Sequence, residues 1–365
     1  MQTAIPSMLM RGGTSKGLYF QAKDLPADVE ARNRVLLAVM GSPDVRQIDG
    51  IGGAHPLTSK VAVVSLSDSN ESDIDYLFLQ VMVDEGIVSD AQNCGNILAG
   101  VGPYAIESGM LRSNGATTDV RIHMLNTGAK AIARVQTPRG KVEYEGEARI
   151  DGVPGASAAV PIEFLDIAGS SCGALLPTGQ VRDLVLDVEV TCIDNGMPVV
   201  LLKASDFGLV GNESPAELET NLELKNRIEA IRLEAGRLMN LGDVSGKTIP
   251  KMSLVSTAQN SGTLNTRTFI PHRVHEAIGV LGSVSVATAC MLTGSIAQEF
   301  SAGLSSKSVN QLSIEHPTGS FSVEVEIERG GKEEFVVRRA ALLRTARLLM
   351  RGEVYVPERA FETTA

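Results

Sequence analysis

The sequence predicts a protein of mixed helix and strand, α/β or α+β, built from two similar halves. Three observations predict it. Short Val/Ile/Leu-rich runs recur along the chain, bounded by Gly, Asn, Asp and Pro as strands are. A few longer stretches show helical periodicity. Four pairs of segments resemble each other in the same order and at nearly constant spacing.

Taken in chain order, the strand-like runs are 61–66, 76–83, 120–124, 184–190, 199–202, 321–327 and 334–338. The helical stretches are 30–40, 96–108, 216–239 and 283–300, with capping and turn residues at their ends. Residues 277–297 carry no charge and have the length of a membrane span. Their many Gly, Ser and Thr residues argue instead for a buried helix entered through a Gly/Ser turn.

The repeats are specific in place. LTSKVAVVS around Lys60 matches TIPKMSLVS around Lys251, and CGNILAGVGPYAIESG around Gly95 matches LGSVSVATACMLTGSIA around Gly282. LNTGAKAIARV at Gly128 matches HPTGSFSVEVEI at Gly319, and LYFQAKDL at Asp24 matches VLLKASDF at Asp206. The halves are expected at 1–187 and 188–365, with the return of a last strand near 354–356 to the first half left open. Two such halves imply pseudo-twofold packing around a cleft, where ligands usually bind. Helices that start at Gly95 and Gly282 and aim their N-termini into it would make an anion site. The implied ligand is a small carboxylate.

Composition narrows the class. With 33 basic against 43 acidic side chains and a net charge of −10, the chain lacks the basic excess of a nucleic-acid binder. Hydrophobic residues at 43% supply a core and exclude global disorder. Cys94, Cys172, Cys192 and Cys290 are scattered without paired spacing, so neither a disulfide framework nor a zinc site is expected. The opening MQTAIPSMLMRGG lacks a basic leader, and Pro6 and Arg11 break its apolar stretch. A cytoplasmic protein is expected, with no membrane partner and with homodimerisation left open.

Several residues could carry chemistry. The loop Arg11-Gly12-Gly13-Thr14-Ser15-Lys16-Gly17 fails the phosphate-loop spacing and precedes a strand-like run. It is either a tight turn or a carboxylate site made of backbone N–H groups and Arg11. Gly242 to Thr248 misses the same pattern by one residue. Cys94 stands before Gly95 and Asn96 at a helix start, where a thiolate or bound anion is favoured, with an ordinary buried cysteine as the alternative; the second half has Leu281 in the matching place. Lys60 lies between Thr58-Ser59 and an apolar run, where a partly desolvated amine could serve as a general base; a snorkelling lysine is the alternative. Lys251 occupies the equivalent place. Arg267 and His272, in NTRTFIPHRVH with Asn265 and His275, could clamp further carboxylates, or the stretch is a surface-exposed polar loop. Asp49 and His55 are assigned no role beyond shaping their loop, and His123 and His316 read as structural.

Together MRGGTSKGLYF, QIDGIGG, LTSKVAV, QNCGNILAGVGP, GALLPTG, CIDNGMPVV, NTRTFIPHR and VSVATA resemble the methylaconitate isomerase family, over nearly the whole chain. The resemblance implies the diaminopimelate-epimerase-like fold: α+β, two pseudo-twofold-related domains, each a mixed sheet wrapped around a central helix. It further implies a cofactor-independent isomerase. The lysine matching Lys60 is then the proton-transferring base, and Cys94 faces the substrate. The loop Arg11, Gly12, Gly13, Thr14 and Ser15, together with Gly95, Asn96, Gly282 and Ser283, matches the carboxylate-binding positions. Epimerase relatives use one cysteine from each half; Leu281 departs from that pattern and shifts the expectation to lysine. The expected reaction is 1,3-allylic or keto–enol proton transfer on an unsaturated oxo-tricarboxylate. Isomerisation of methylaconitate or aconitate is the alternative within the class, and a non-catalytic di- or tricarboxylate-binding protein the alternative outside it.

Overall fold

A computed structural model describes residues 1–90, 94–271, 273–301, 309–329 and 335–362. The chain forms two compact units, Met1–Glu163 with Arg344–Ala365 and Phe164–Leu343. The first contains β1 (Gln2–Gly12), β2 (Ser15–Gln21), α1 (Val29–Met40), β3 (Lys60–Leu66), β4 (Ile74–Val81), β5 (Val88–Ser89), α2 (Gly95–Glu107), β6 (Thr117–Met124), β7 (Ala129–Gln136) and β8 (Ala159–Leu165), the last ending across the unit boundary. The second contains β9 (Asp183–Val185), β10 (Val188–Asp194), β11 (Pro198–Lys203), α3 (Pro215–Thr220), α4 (Leu222–Leu238), β12 (Lys251–Ser256), β13 (Leu264–Ile270), β14 (Arg273–Val274), α5 (Val280–Met291), β15 (Val309–His316) and β16 (Gly319–Arg329). The 23-residue β17 (Phe335–Pro357) pairs with β16 through its first part and with β1 through its second.

The duplication holds strand for strand. In the first unit β1 and β2 are antiparallel, β2 runs parallel to β3 across α1, β3 and β4 are antiparallel, and β4 runs parallel to β6 across α2. In the second, β10, β11, β12, β13 and β15 repeat these relations, with α4 and α5 as the crossovers. Lys60 and Lys251 open equivalent strands. Alternation of side chains across each strand then sorts two faces. In the first unit Leu18, Phe20, Val61, Val63, Leu79 and Val81 face α1 and pack on its Val35, Leu36, Val39 and Met40. Asp28 starts α1 by accepting from the Ala31 N–H, and Gly41, at φ +78°, ends it.

The opposite face receives α2, which packs against β1, β2, β3, β4, β6 and β7. Nine consecutive residues, Ile97 to Ala105, are buried, so the helix is covered on every side rather than on one stripe. Such a position demands small residues: a methyl group at Gly100 would run into the Tyr19 phenol, and one at Gly102 would press on Val135. The helix α5 is buried in the same way from Gly282 to Cys290. The fold class is therefore the predicted α+β arrangement of sheets around central helices.

Several expectations change in detail. The stretch 216–239 is two helices, because Asn221 stops α3 and accepts from the Leu224 N–H to start α4. The stretch 184–190 is a hairpin rather than one strand: Leu186 and Asp187 take positive φ and reverse the chain between β9 and β10. Residues 164–187, assigned to the first half from the sequence, belong to the second unit, where Cys172 and Val185 join its core. The helix expected over 283–300 starts earlier and stops at Met291. Residue 334 of the run 334–338 lies outside the described residues.

Candidate functional site

The site residues of the first unit gather at one end of the face that α2 covers. The strand β1 ends at Gly12, the chain turns through Gly13 at φ +51° and Thr14, and β2 begins at Ser15. This turn is clasped to the first turn of α2, since the Asn96 Nδ2 donates to Thr14 Oγ1 at 3.1 Å and the Thr14 N–H donates to Asn96 Oδ1 at 3.4 Å. Both glycines are required by proximity. A methyl group at Gly12 would meet the Asn96 carbonyl, and one at Gly13 the Asn96 side chain. Arg11 braces the turn. Its Nη1 donates to the Gly13 carbonyl (2.9 Å) and to the carbonyl and hydroxyl of Thr345 (3.2 and 3.0 Å), and its Nη2 donates to Ser157 Oγ (3.3 Å). Its guanidinium is thus a fastener of the loop.

Cys94 is the N-cap of α2, with extended backbone angles, and its carbonyl accepts from the Leu98 N–H. The N–H groups of Gly95, Asn96 and Ile97 precede the first intrahelical bond, so the turn presents donors and the positive end of the helix dipole. Two phenols hold this end in place. Tyr76 donates to the Cys94 carbonyl at 3.4 Å and Tyr19 to the Ile97 carbonyl at 2.5 Å. Burial, with Cys94 next in order, pushes both phenols well above their ordinary range, so they remain neutral donors.

Lys60 sits on the same face. It is only 6% exposed, and its Nζ donates to Gln80 Oε1 at 2.5 Å and stands 5.0 Å from the centre of the Phe78 ring. Gln80 is itself oriented, its amide nitrogen donating to the carbonyls of Ser59 (2.9 Å) and Pro56 (3.1 Å). The register explains the set: Lys60 lies opposite Gln80 on β4 and opposite Gly17 on β2, where any side chain would strike the Lys60 carbonyl. Tyr76, Phe78 and Gln80 are alternate residues of one strand, so a single row leads from the Cys94 carbonyl to the Lys60 ammonium. Neither Tyr76, Phe78 nor Gln80 was singled out from the sequence. A glutamine on the inward side of an alternating apolar strand was the available signal.

The second unit treats its expected residues differently. Arg267 is buried, and it donates from Nε to the Glu213 carbonyl (2.6 Å) and from Nη1 to Asn265 Oδ1 and the Thr266 carbonyl (2.9 Å each). It ties β13 to the loop before α3. His272 lies outside the described residues. Gly282 and Ser283 are not the start of α5, whose N-cap is Gly279, and Gly279 rather than Leu281 therefore holds the place that Cys94 holds in α2. The Ser283 N–H donates to the Gly279 carbonyl and its hydroxyl to the Val280 carbonyl (2.7 Å), so both of its donors are used inside the helix. Lys251 donates to the Thr248 carbonyl at 2.5 Å. The strand paired beside it, β13, carries no glutamine. Burial and then Arg232 pull its amine below the ordinary range, and burial followed by Lys251 does the same to His275. Among the described residues no three His, Cys, Asp or Glu side chains gather as metal ligands, and no helix is long and apolar enough to cross a membrane.

Comparison with known proteins locates this arrangement. The family described as PrpF protein matches residues 2–357. The chain is 59% identical over 355 residues to the 4-oxalomesaconate tautomerase of Pseudomonas putida, covering 97% of each chain. A crystal structure of methylitaconate-delta-isomerase superposes with a TM-score of 0.88 at 34% identity, covering 100% of this chain and 98% of that one. A hydroxyproline epimerase from Agrobacterium vitis, at 13% identity and a TM-score of 0.50 over 99% and 96% of the two chains, shares the fold.

Proposed function

The chain belongs to the PrpF family and is an isomerase, and from that membership we propose that it moves a proton between the ends of an allylic or keto–enol unit in 4-oxalomesaconate. The observation that carries the reading is the buried Lys60 amine, aimed by Gln80 and lying on the same sheet face as the α2 N-terminus. A carbon acid flanked by a ketone and carboxylates is acidic enough for an amine to deprotonate without further help. Lys60, in its amine form, takes the proton: the C–H bond breaks, an N–H bond forms, and the electron pair spreads into a dienolate. The N–H groups of Gly95 and Asn96 and the backbone of the Gly12-Gly13-Thr14-Ser15 turn hold that charge and the carboxylate beside it. The resulting ammonium, or the Cys94 thiol, returns a proton at the distal atom as the double bond shifts, so no oxidant or reductant enters.

This reading needs no cofactor, and it places the reaction in the breakdown of aromatic rings through gallate or protocatechuate. The acidic net charge argues against nucleic acid as a partner, and the four free thiols of Cys94, Cys172, Cys192 and Cys290 support a reducing, cytoplasmic setting. Incubation with 4-oxalomesaconate in deuterated water, followed by proton NMR, tests it. Enzyme-dependent exchange and isomerisation are expected. Turnover of methylaconitate or trans-aconitate with none of 4-oxalomesaconate would move the assignment to that substrate, and no exchange with any of them would leave a binding protein.

A further inference from the structure

A tricarboxylate brings three negative charges, whereas Lys60 and the α2 N-terminus offer one cation and one dipole. The strand β17 supplies another cation. Arg344 is 2% exposed, one of the largest fully buried side chains, and immediately precedes Thr345, whose carbonyl accepts from the Gly13 N–H and from Arg11. In register, Ala346 of β17 lies opposite Gly12 and Gly12 opposite Ser15. Two residues further along β17, Arg344 continues the face that carries Gly12, Ser15, Gly17 and Lys60, the face against which α2 packs. From β17 through β1 and β2 to β3 are three strand spacings of about 4.8 Å, and Arg344 stands four residues from Leu348, the β17 residue in the row of Met10, Gly17 and Lys60, on the side of the β1–β2 turn. The start of α2 lies against the turn between them.

A second group points to a ligand there. Ser15 is 2% exposed, and its hydroxyl is buried without a hydrogen-bond partner, at the mouth of the turn that Arg344 adjoins. We propose that Arg344 and the Ser15 hydroxyl bind the middle carboxylate of the substrate, forming a subsite on the other side of the α2 N-terminus from Lys60. The guanidinium fork matches a carboxylate in two bonds, and the serine completes the set with a third donor. Burial pulls the guanidinium down to about 9 and the nearby Cys94 pushes it back up, so it stays cationic at neutral pH and lies within the electrostatic reach of Cys94. The proposal rests on the tricarboxylate reading only for the identity of the ligand.

Titration calorimetry with propane-1,2,3-tricarboxylate and with glutarate, which lacks the middle carboxylate, separates the two questions, because neither acid is turned over. Arg344→Gln is expected to weaken the tricarboxylate roughly 10- to 100-fold, the value of a charge-assisted pair, and to leave glutarate within about 3-fold. Arg344→Lys should fall between. Equal loss for both acids, or none for either, would make Arg344 purely structural and overturn the proposal, as would wild-type protein that binds no tricarboxylate. If neither variant folds, a co-crystal of wild-type protein with propane-1,2,3-tricarboxylate decides: a carboxylate within hydrogen-bond distance of Arg344 and Ser15 is expected, and carboxylates placed only elsewhere overturn it. Binding through Arg344 by a protein that turns over no unsaturated tricarboxylate would sink the proposed reaction and spare this subsite.

Discussion

Lys60 and Lys251 start equivalent strands, yet their neighbours differ, and the difference sets the first expectations. Lys60 meets Gln80 and Phe78, whereas Lys251 is bound to its own preceding turn. Lys60→Met should lower kcat by a factor on the order of 100 or more, the usual loss of a general base, with an unchanged circular dichroism spectrum. Lys251→Met should cost much less; equal losses would remove Lys60 from its role. Gln80→Leu keeps the volume but leaves the ammonium without its acceptor. It should lower stability by about 1–3 kcal/mol in urea unfolding and depress kcat, since a buried donor is then unsatisfied. Cys94 caps α2 without a side-chain bond, and no cysteine holds the N-cap of α5. Cys94→Ser should therefore retain activity with a barrier raised by roughly 1–2 kcal/mol. A folded Cys94→Ser protein as inactive as Lys60→Met would make the thiol an obligatory proton carrier.

At the scale of the element, α2 is both the centre of its unit's packing and the source of the N–H groups at the site. Gly100→Ala places a methyl group against the Tyr19 ring, and Tyr19 in turn holds the Ile97 carbonyl. Overpacking here should destabilise by about 1–3 kcal/mol and raise KM at the same time, because the helix start moves with the phenol. Denaturant unfolding and steady-state kinetics on one variant check both. The buried helices, the duplicated lysines and the Gly12-Gly13 turn were legible because small-residue runs and glycine pairs have few structural explanations. Their partners were less so. Gln80 looked like any polar residue in a strand, and Arg344 lies far from Lys60 in the chain and joins its face only through the register of β17 with β1. The reversal at Leu186 and Asp187 lacked a glycine to announce it, and the length of β17 was hidden because 339–351 alternates too irregularly to read as a strand. Arg267 and Ser283 carried plausible chemistry in sequence, but their donors satisfy nearby carbonyls.

Across the whole molecule, the first unit is assembled from both ends of the chain. Gln2 to Gly12 pairs along its length with β17, and Val354, Val356 and Ala360 enter the core beneath α1. A protein ending at Leu343 keeps Lys60, Gln80 and Cys94 but loses the partner strand of β1 and the Thr345 anchor of Gly13. It should be inactive and should melt without a cooperative transition for its first unit, as followed by amide hydrogen exchange. Retained activity would show that β1 and its turn stand without β17.

That shared strand also orders events during synthesis. The segment carrying Lys60 and Cys94 leaves the ribosome early, but it cannot close its sheet until β17 emerges. At 5–20 residues per second, the intervening translation of unit two occupies roughly 10–40 s. Through that interval β1 offers an unpaired edge to any neighbouring chain, while the second unit, continuous from Phe164 to Leu343, is free to fold first. The half of the protein that is translated first is thus finished last, and slowing translation over residues 164–343 should increase the load on holding chaperones without altering the folded enzyme at all.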